Sequence, residues 1–121
     1  MISLSKVLEI LNKGEYVKLE ERHKSSELCP YSESSYTVTL KEGGKIRITQ
    51  VGAFEIFYRI RLFVPNEEKS VESWTFHKYR VGWLRKSIKD PLYDEVKSTF
   101  YKLYHKVSFE KLAERSKYFP Q

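Results

Sequence analysis

A chain of 121 residues has room for one hydrophobic core and not for two, so residues 1–121 are expected to fold as a single domain. Hydrophobic content of 40% with 15% aromatics excludes a disordered chain, and a net charge of +6 with a pI near 9.3 points toward polyanionic partners, nucleic acid first. Cys29 is the only cysteine, which excludes an internal disulfide and any cysteine-built zinc cluster and favours an intracellular setting.

The opening MISLSKVLEI places Lys6 and Glu9 where a signal peptide needs its apolar core. No later apolar run escapes charge for the roughly 18 residues of a membrane span. The expected location is therefore the cytoplasm, or the host cytoplasm if the protein is viral. Amide side chains are confined to Asn12, Gln50, Asn66 and Gln121, and alanines to Ala53 and Ala113, while Lys, Glu, Tyr and Ile are plentiful. That usage fits a hyperthermophile, an archaeon or its virus, and fits an AT-rich genome equally well.

In chain order, residues 3–13 place Leu4, Val7, Leu8 and Leu11 at helical spacing, with Ser3 as N-cap and Gly14 just past the end, and predict a short amphipathic helix. EYVKLEE fits a strand. The polar run Glu20 to Ser35, which contains Cys29-Pro30, has no steady period and is expected to be a long loop. YTVTLKEGGKIRIT then reads as a hairpin, and parity favours a three-residue loop pairing Leu40 with Ile46 and Val38 with Ile48. The same parity test around Val51, Gly52 and Ala53 pairs Ile48 with Ile56, Ile46 with Tyr58, and Arg47 with Phe57.

The resulting meander has two faces. Val38, Leu40, Ile46, Ile48, Phe54, Ile56, Tyr58, Ile60 and Leu62 form the core face; Thr37, Thr39, Lys45, Arg47, Phe57, Arg59, Arg61 and Phe63 form the other. VESWTFHKYRVGWL reads as a fourth strand that changes phase, and a bulge near His77-Lys78 would bring Trp74 and Phe76, then Tyr79, Val81 and Trp83, to the core. The C-terminal third is helical. Asp90 is the expected N-cap with Pro91 at the first helical position, and Leu92, Val96, Phe100, Leu103 and Val107 form a core stripe. Ser108 is expected to cap a last short helix docking through Phe109 and Leu112. The fold class is α+β: an N-terminal helix, an antiparallel meander of three to four strands, and C-terminal helices packed on one face of the sheet.

Arg47, Phe57, Arg59, Arg61 and Phe63, with Lys45, carry the strongest functional signal. Arginines neutralise phosphates, and aromatic rings stack on any base at about 1–3 kcal/mol each, a combination suited to single strands of DNA or RNA. Against it stands ordinary packing, in which helices cover both faces and the arginine stems lie over Phe57 and Phe63. A second basic set, Lys78, Arg80, Arg85, Lys86 and Lys89, interleaves with Tyr79 and Trp83.

Catalysis has little support. His23, His77 and His105 are scattered, the only aspartates are Asp90 and Asp94, and acid-x-Lys spacing around Asp94 to Lys97 falls on a helix start rather than a nuclease strand. His23 and Cys29 are too few for a metal site, and Gly43-Gly44 lacks the features of a phosphate loop. The expected protein is a small non-catalytic nucleic-acid binder with no cofactor, metal or membrane role. The alternative is a protein-interaction module, such as a small viral or mobile-element factor, using the same face for a host protein or a homodimer.

Overall fold

The order of elements is helix, seven strands, helix, and the structure, a computed structural model, describes residues 2–26, 31–52, 55–81 and 86–120. α1 (Leu4–Lys13) begins at Ser3, whose Oγ accepts the Lys6 N–H at 3.2 Å, and ends at Gly14 with φ 71°, a left-handed conformation that suits glycine. It buries Val7, Leu8, Ile10 and Leu11. Both caps are those the sequence predicts.

Five strands, β1 (Lys18–Ser26), β2 (Tyr31–Thr39), β3 (Lys45–Gly52), β4 (Ile56–Phe63) and β5 (Glu72–Phe76), form one antiparallel sheet in sequence order. The sheet is thus wider than the expected three or four strands. The difference comes from the polar run: β1 continues beyond EYVKLEE and β2 begins before Tyr36, so the two pair from Lys18↔Thr39 to Ser26↔Tyr31, across residues 20–35 where a loop is expected. Their outer halves carry polar residues on both faces, so hydrophobic alternation, the usual mark of a half-buried strand, is missing there. Cys29-Pro30 lies outside the described residues.

Parity holds and register does not. Val38 pairs with Ile46 and Tyr36 with Ile48, a shift of two residues from the expected hairpin, because Leu40 closes a wider turn by exchanging hydrogen bonds with Gly43 and Gly44. Ile48 pairs with Ile60 and Ile46 with Leu62, a shift of four residues, because β3 continues to Gly52 and pairs there with Ile56. Both shifts are even, so every side chain keeps its face. The functional consequence is local: Arg47 stands opposite Arg61 rather than Phe57.

The apolar face carries Tyr36, Val38, Ile46, Ile48, Tyr58, Ile60, Leu62 and Phe76, all buried in one cluster with residues of both helices. Ile56, expected among them, is exposed at the sheet's end, and Phe54 lies outside the described residues. Phe100 meets Tyr36 and Tyr58 with ring centroids 5.2 and 5.6 Å apart, contacts worth about 0.5–1.5 kcal/mol each beyond area burial. The phenol groups keep partners: Tyr36 donates to Glu21 at 3.0 Å, and Gln50 donates to Tyr58 at 2.8 Å and to Tyr101 at 3.0 Å. Burial, more than any neighbour, raises the phenol pKa of Tyr36 and of Tyr58 far above the ordinary tyrosine range.

At His77 the chain leaves the sheet instead of bulging. β6 (Lys78–Val81) and β7 (Lys86–Lys89) form a separate two-stranded hairpin. Its base is pinned by Asp90, whose carboxylate accepts the His77 N–H at 2.7 Å while its own N–H donates to the His77 carbonyl at 2.9 Å. Asp90 is therefore engaged with the hairpin and does not cap the helix. α2 (Tyr93–Ser116) begins two residues later than expected, at Leu92, which has φ 67° and no side-chain cap. Val96, Phe100, Leu103 and Val107 are buried as the stripe predicts, joined by Tyr93, whereas Leu92 is exposed.

Helix α2 also runs through Ser108 without a break, so the expected last helix is its continuation. Phe109 and Leu112 do not dock; they are 74% and 64% exposed. Both helices lie on the apolar face of the sheet. The confirmed architecture is α+β, with an antiparallel sheet between a helical layer and an open face.

Candidate functional site

The open face is shaped by two small residues. Ser35 on β2 and Thr49 on β3 are register partners, both buried, with their hydroxyl oxygens 3.0 Å apart. On the same cross-strand row stand Arg22 of β1 and Arg59 of β4. The neighbouring row pairs Arg47 with Arg61, and the row on the other side holds Lys24 and Glu33. Small side chains surrounded by long ones leave a depression. It has a volume of about 240 Å³ and is lined by Arg22, Lys24, Glu33, Ser35, Arg47, Arg59 and Arg61.

Five cations therefore converge on one carboxylate. Glu33 lies 3.9 Å from the Arg61 guanidinium and also accepts a hydrogen bond from the Tyr31 hydroxyl, so it compensates the cluster only in part. Arg47 donates through Nε to Thr37 Oγ1 at 3.0 Å. Arg61 Nε is buried and, among the described residues, has no acceptor. Burial first, then the guanidinium groups of Arg47 and Arg59, holds the Arg61 pKa below the ordinary arginine value. Arginine remains protonated at physiological pH, so this crowding is a free-energy cost carried by the face, and an anion would relieve it.

AFEIFYRIRLFVP carries Phe57, Arg59, Arg61 and Phe63 because its second face belongs to this basin. No helix is needed to cover the phenylalanines, since the arginines do it. The Arg47 guanidinium lies 4.6 Å from the Phe63 ring centroid and that of Arg61 5.7 Å; Arg59 lies 5.7 Å from Phe57. Phe63 is only 6% exposed under them, whereas Phe57 is half-buried at the opposite rim.

From Phe57 a row of rings leads off the sheet. Its centroid is 4.9 Å from that of His77, which is 5.6 Å from that of Tyr79, with interplanar angles of 30° and 29°. Tyr79 is 48% exposed, where the phase argument expects it in the core. The departure of the chain at His77 turns an expected core residue into the outer end of an aromatic row.

The structure thus brings Arg47, Arg59 and Arg61 together, flanked by Phe57 and Phe63. Lys45 is exposed at the start of β3, opposite Phe63. Lys78 is exposed at the start of β6; Arg80 pairs with Ser87 and Lys86 with Val81 across the hairpin. Arg85 and Trp83 lie outside the described residues. Arg22 and Lys24 are the cations that sequence reasoning misses. A signal for them exists: Lys18, Glu20, Arg22 and Lys24 alternate with Leu19, which belongs to the apolar face.

Among the described residues no group of three or more His, Cys, Asp or Glu is placed to hold a metal ion, and no described helix is long and apolar enough to cross a membrane. Compared with family models, with curated proteins and with solved structures, the chain finds no match.

Proposed function

We propose that this protein is a small non-catalytic nucleic-acid-binding protein that takes a single strand of DNA or RNA on the open face of its sheet. The observation that supports this reading is the convergence of Arg22, Lys24, Arg47, Arg59 and Arg61 on one depression with Glu33 as the only carboxylate in its lining. Guanidinium groups meet phosphate oxygens in bidentate geometry and release the polymer's counterions on binding. The aromatic row offers bases a stacking surface at its exposed end, Tyr79, with Phe57 and His77 behind it.

A single strand suits this surface better than a duplex. Its bases are free to reach an aromatic row, and its backbone is flexible enough to follow the open face of the sheet. Phosphate contacts act without regard to sequence, so the face supplies affinity before base preference. The reading needs no cofactor and places the protein in the cytoplasm. Amino-acid usage remains compatible with a hot-environment archaeal or viral source.

The double variant Arg59→Ala/Arg61→Ala tests the proposal by fluorescence anisotropy with a mixed oligonucleotide pool. Affinity should fall for all sequences, and the slope of log affinity against log salt should become shallower by about one to two. Unchanged affinity with a depressed melting temperature would show the arginines to be packing elements and sink the reading. The protein-interaction alternative, through the same face, predicts binding to a protein or a second copy with little dependence on salt.

A further inference from the structure

We infer that the depression receives a phosphomonoester, the terminal phosphate of a nucleic-acid strand, in preference to an internal phosphodiester; the identity of the ligand as a strand end rests on the proposed function. Arrangement is the first ground. A surface that follows a backbone sets its cations in a row at phosphate spacing, whereas these surround a floor. Arg22 and Arg59 stand at the two ends of the Ser35–Thr49 row, Arg47 and Arg61 on one flank, and Lys24 on the other. A ring of this kind admits a group from above and has no evident exit for a chain continuing from both sides of a phosphodiester.

Size and charge agree. The volume of about 240 Å³ is below the roughly 300–1,000 Å³ of pockets that enclose a whole small-molecule ligand, and suits a single charged group. A monoester carries about −1.5 to −2 charge at pH 7 and three acceptor oxygens, against a single charge on a diester. Five cations and one carboxylate leave an excess positive charge that a dianion matches better than a monoanion.

Unused donors are the third ground. Arg61 Nε is buried without an acceptor among the described residues. Ser35 and Thr49 share one hydrogen bond between two hydroxyls, so when Thr49 donates, the Ser35 hydrogen is left for a ligand in the depression that Ser35 lines. A buried donor without a partner costs free energy that an incoming acceptor restores. With the phosphate seated there, the terminal nucleotide lies beside the rim at Phe57, where the aromatic row begins.

The test uses the full chain and single strands of one sequence carrying a 5′-phosphate, a 3′-phosphate or hydroxyls at both ends, with inorganic phosphate as competitor. One phosphorylated end should bind at least about tenfold more tightly than the hydroxyl-ended strand, and inorganic phosphate should erase that preference. Arg61→Gln should bring the ratio close to one. Ser35→Val, which fills the floor and keeps every charge, should also bring the ratio close to one. Melting temperatures confirm that each variant is folded.

Equal, tight binding of all three strands would overturn the inference and leave the nucleic-acid reading standing. Binding of inorganic phosphate with none of the strands would support the monoester pocket and overturn the strand end as its source. Failure of every ligand to bind would overturn both.

Discussion

Phe57 and Phe63 occupy the same face of the same strand, yet their surroundings assign them different work. Phe63 is buried beneath Arg47 and Arg61, so its ring serves the stability of the sheet and the arginines sit on it as on a platform. Phe63→Ala should cost about 3–5 kcal/mol of folding free energy in urea denaturation. Phe57 is only half-buried, between Arg59 and His77, and Phe57→Ala should cost about 1–2 kcal/mol while weakening single-strand binding. Equal stability losses in the two variants would show the face to be uniformly packed. Alternation alone identifies both rings as facing away from the core, but it cannot grade their exposure, because that depends on neighbours the fold brings to each ring, Arg47 of β3 over Phe63 and His77 beside Phe57.

At the scale of elements, what the sequence makes legible is parity and what it hides is register. Isoleucines and valines at alternate positions fix which side of β3 and β4 faces the helices, whereas strand offsets are set by how many residues each turn consumes, and glycine pairs permit several lengths. The outer halves of β1 and β2 go unrecognised for a different reason: polar residues on both faces erase the period, and strand pairing beyond the core leaves no hydrophobic trace. The start of α2 is misplaced because Asp90, a good cap by type, has a competing partner in the His77 N–H. Leu92 takes the resulting strain, a non-glycine residue in the left-handed region with an exposed side chain. Leu92→Gly should therefore raise stability by up to about 1 kcal/mol, read as a higher denaturation midpoint at unchanged slope. A lower midpoint would mean that the Leu92 side chain contributes more than its backbone costs.

Across the whole molecule, the far half of α2 is tied to the sheet through Glu21. Its carboxylate accepts from Lys111 of α2 and from Tyr36 of β2. Burial works to raise the Glu21 pKa, but the hydrogen bonds from Lys111 and Tyr36 and the Lys111 charge outweigh it and leave the value below the ordinary 4.5. A carboxylate depressed in the folded state contributes stability in full above its unfolded pKa and loses it as pH falls through the folded value. Wild-type stability should thus decline below about pH 4.5, and Glu21→Gln should show a shallower acid decline from a lower starting point, measured by melting temperature against pH. Parallel curves for the two proteins would assign acid sensitivity elsewhere.

Among the described residues, the order β1-β2-β3-β4-β5 leaves two strands with an unpaired side, and they are guarded differently. β5 is five residues long and offers little length to a visiting strand. β1 spans nine residues, but Lys18, Glu20, Glu21, Arg22 and Lys24 crowd it with charge of both signs. A neighbouring chain that tried to extend the sheet there would have to bury those groups against its own backbone. The strand that donates Arg22 and Lys24 to the depression is thereby also a barrier to aggregation, which lets a protein with a nine-residue edge strand stay open on its face and closed along its edge.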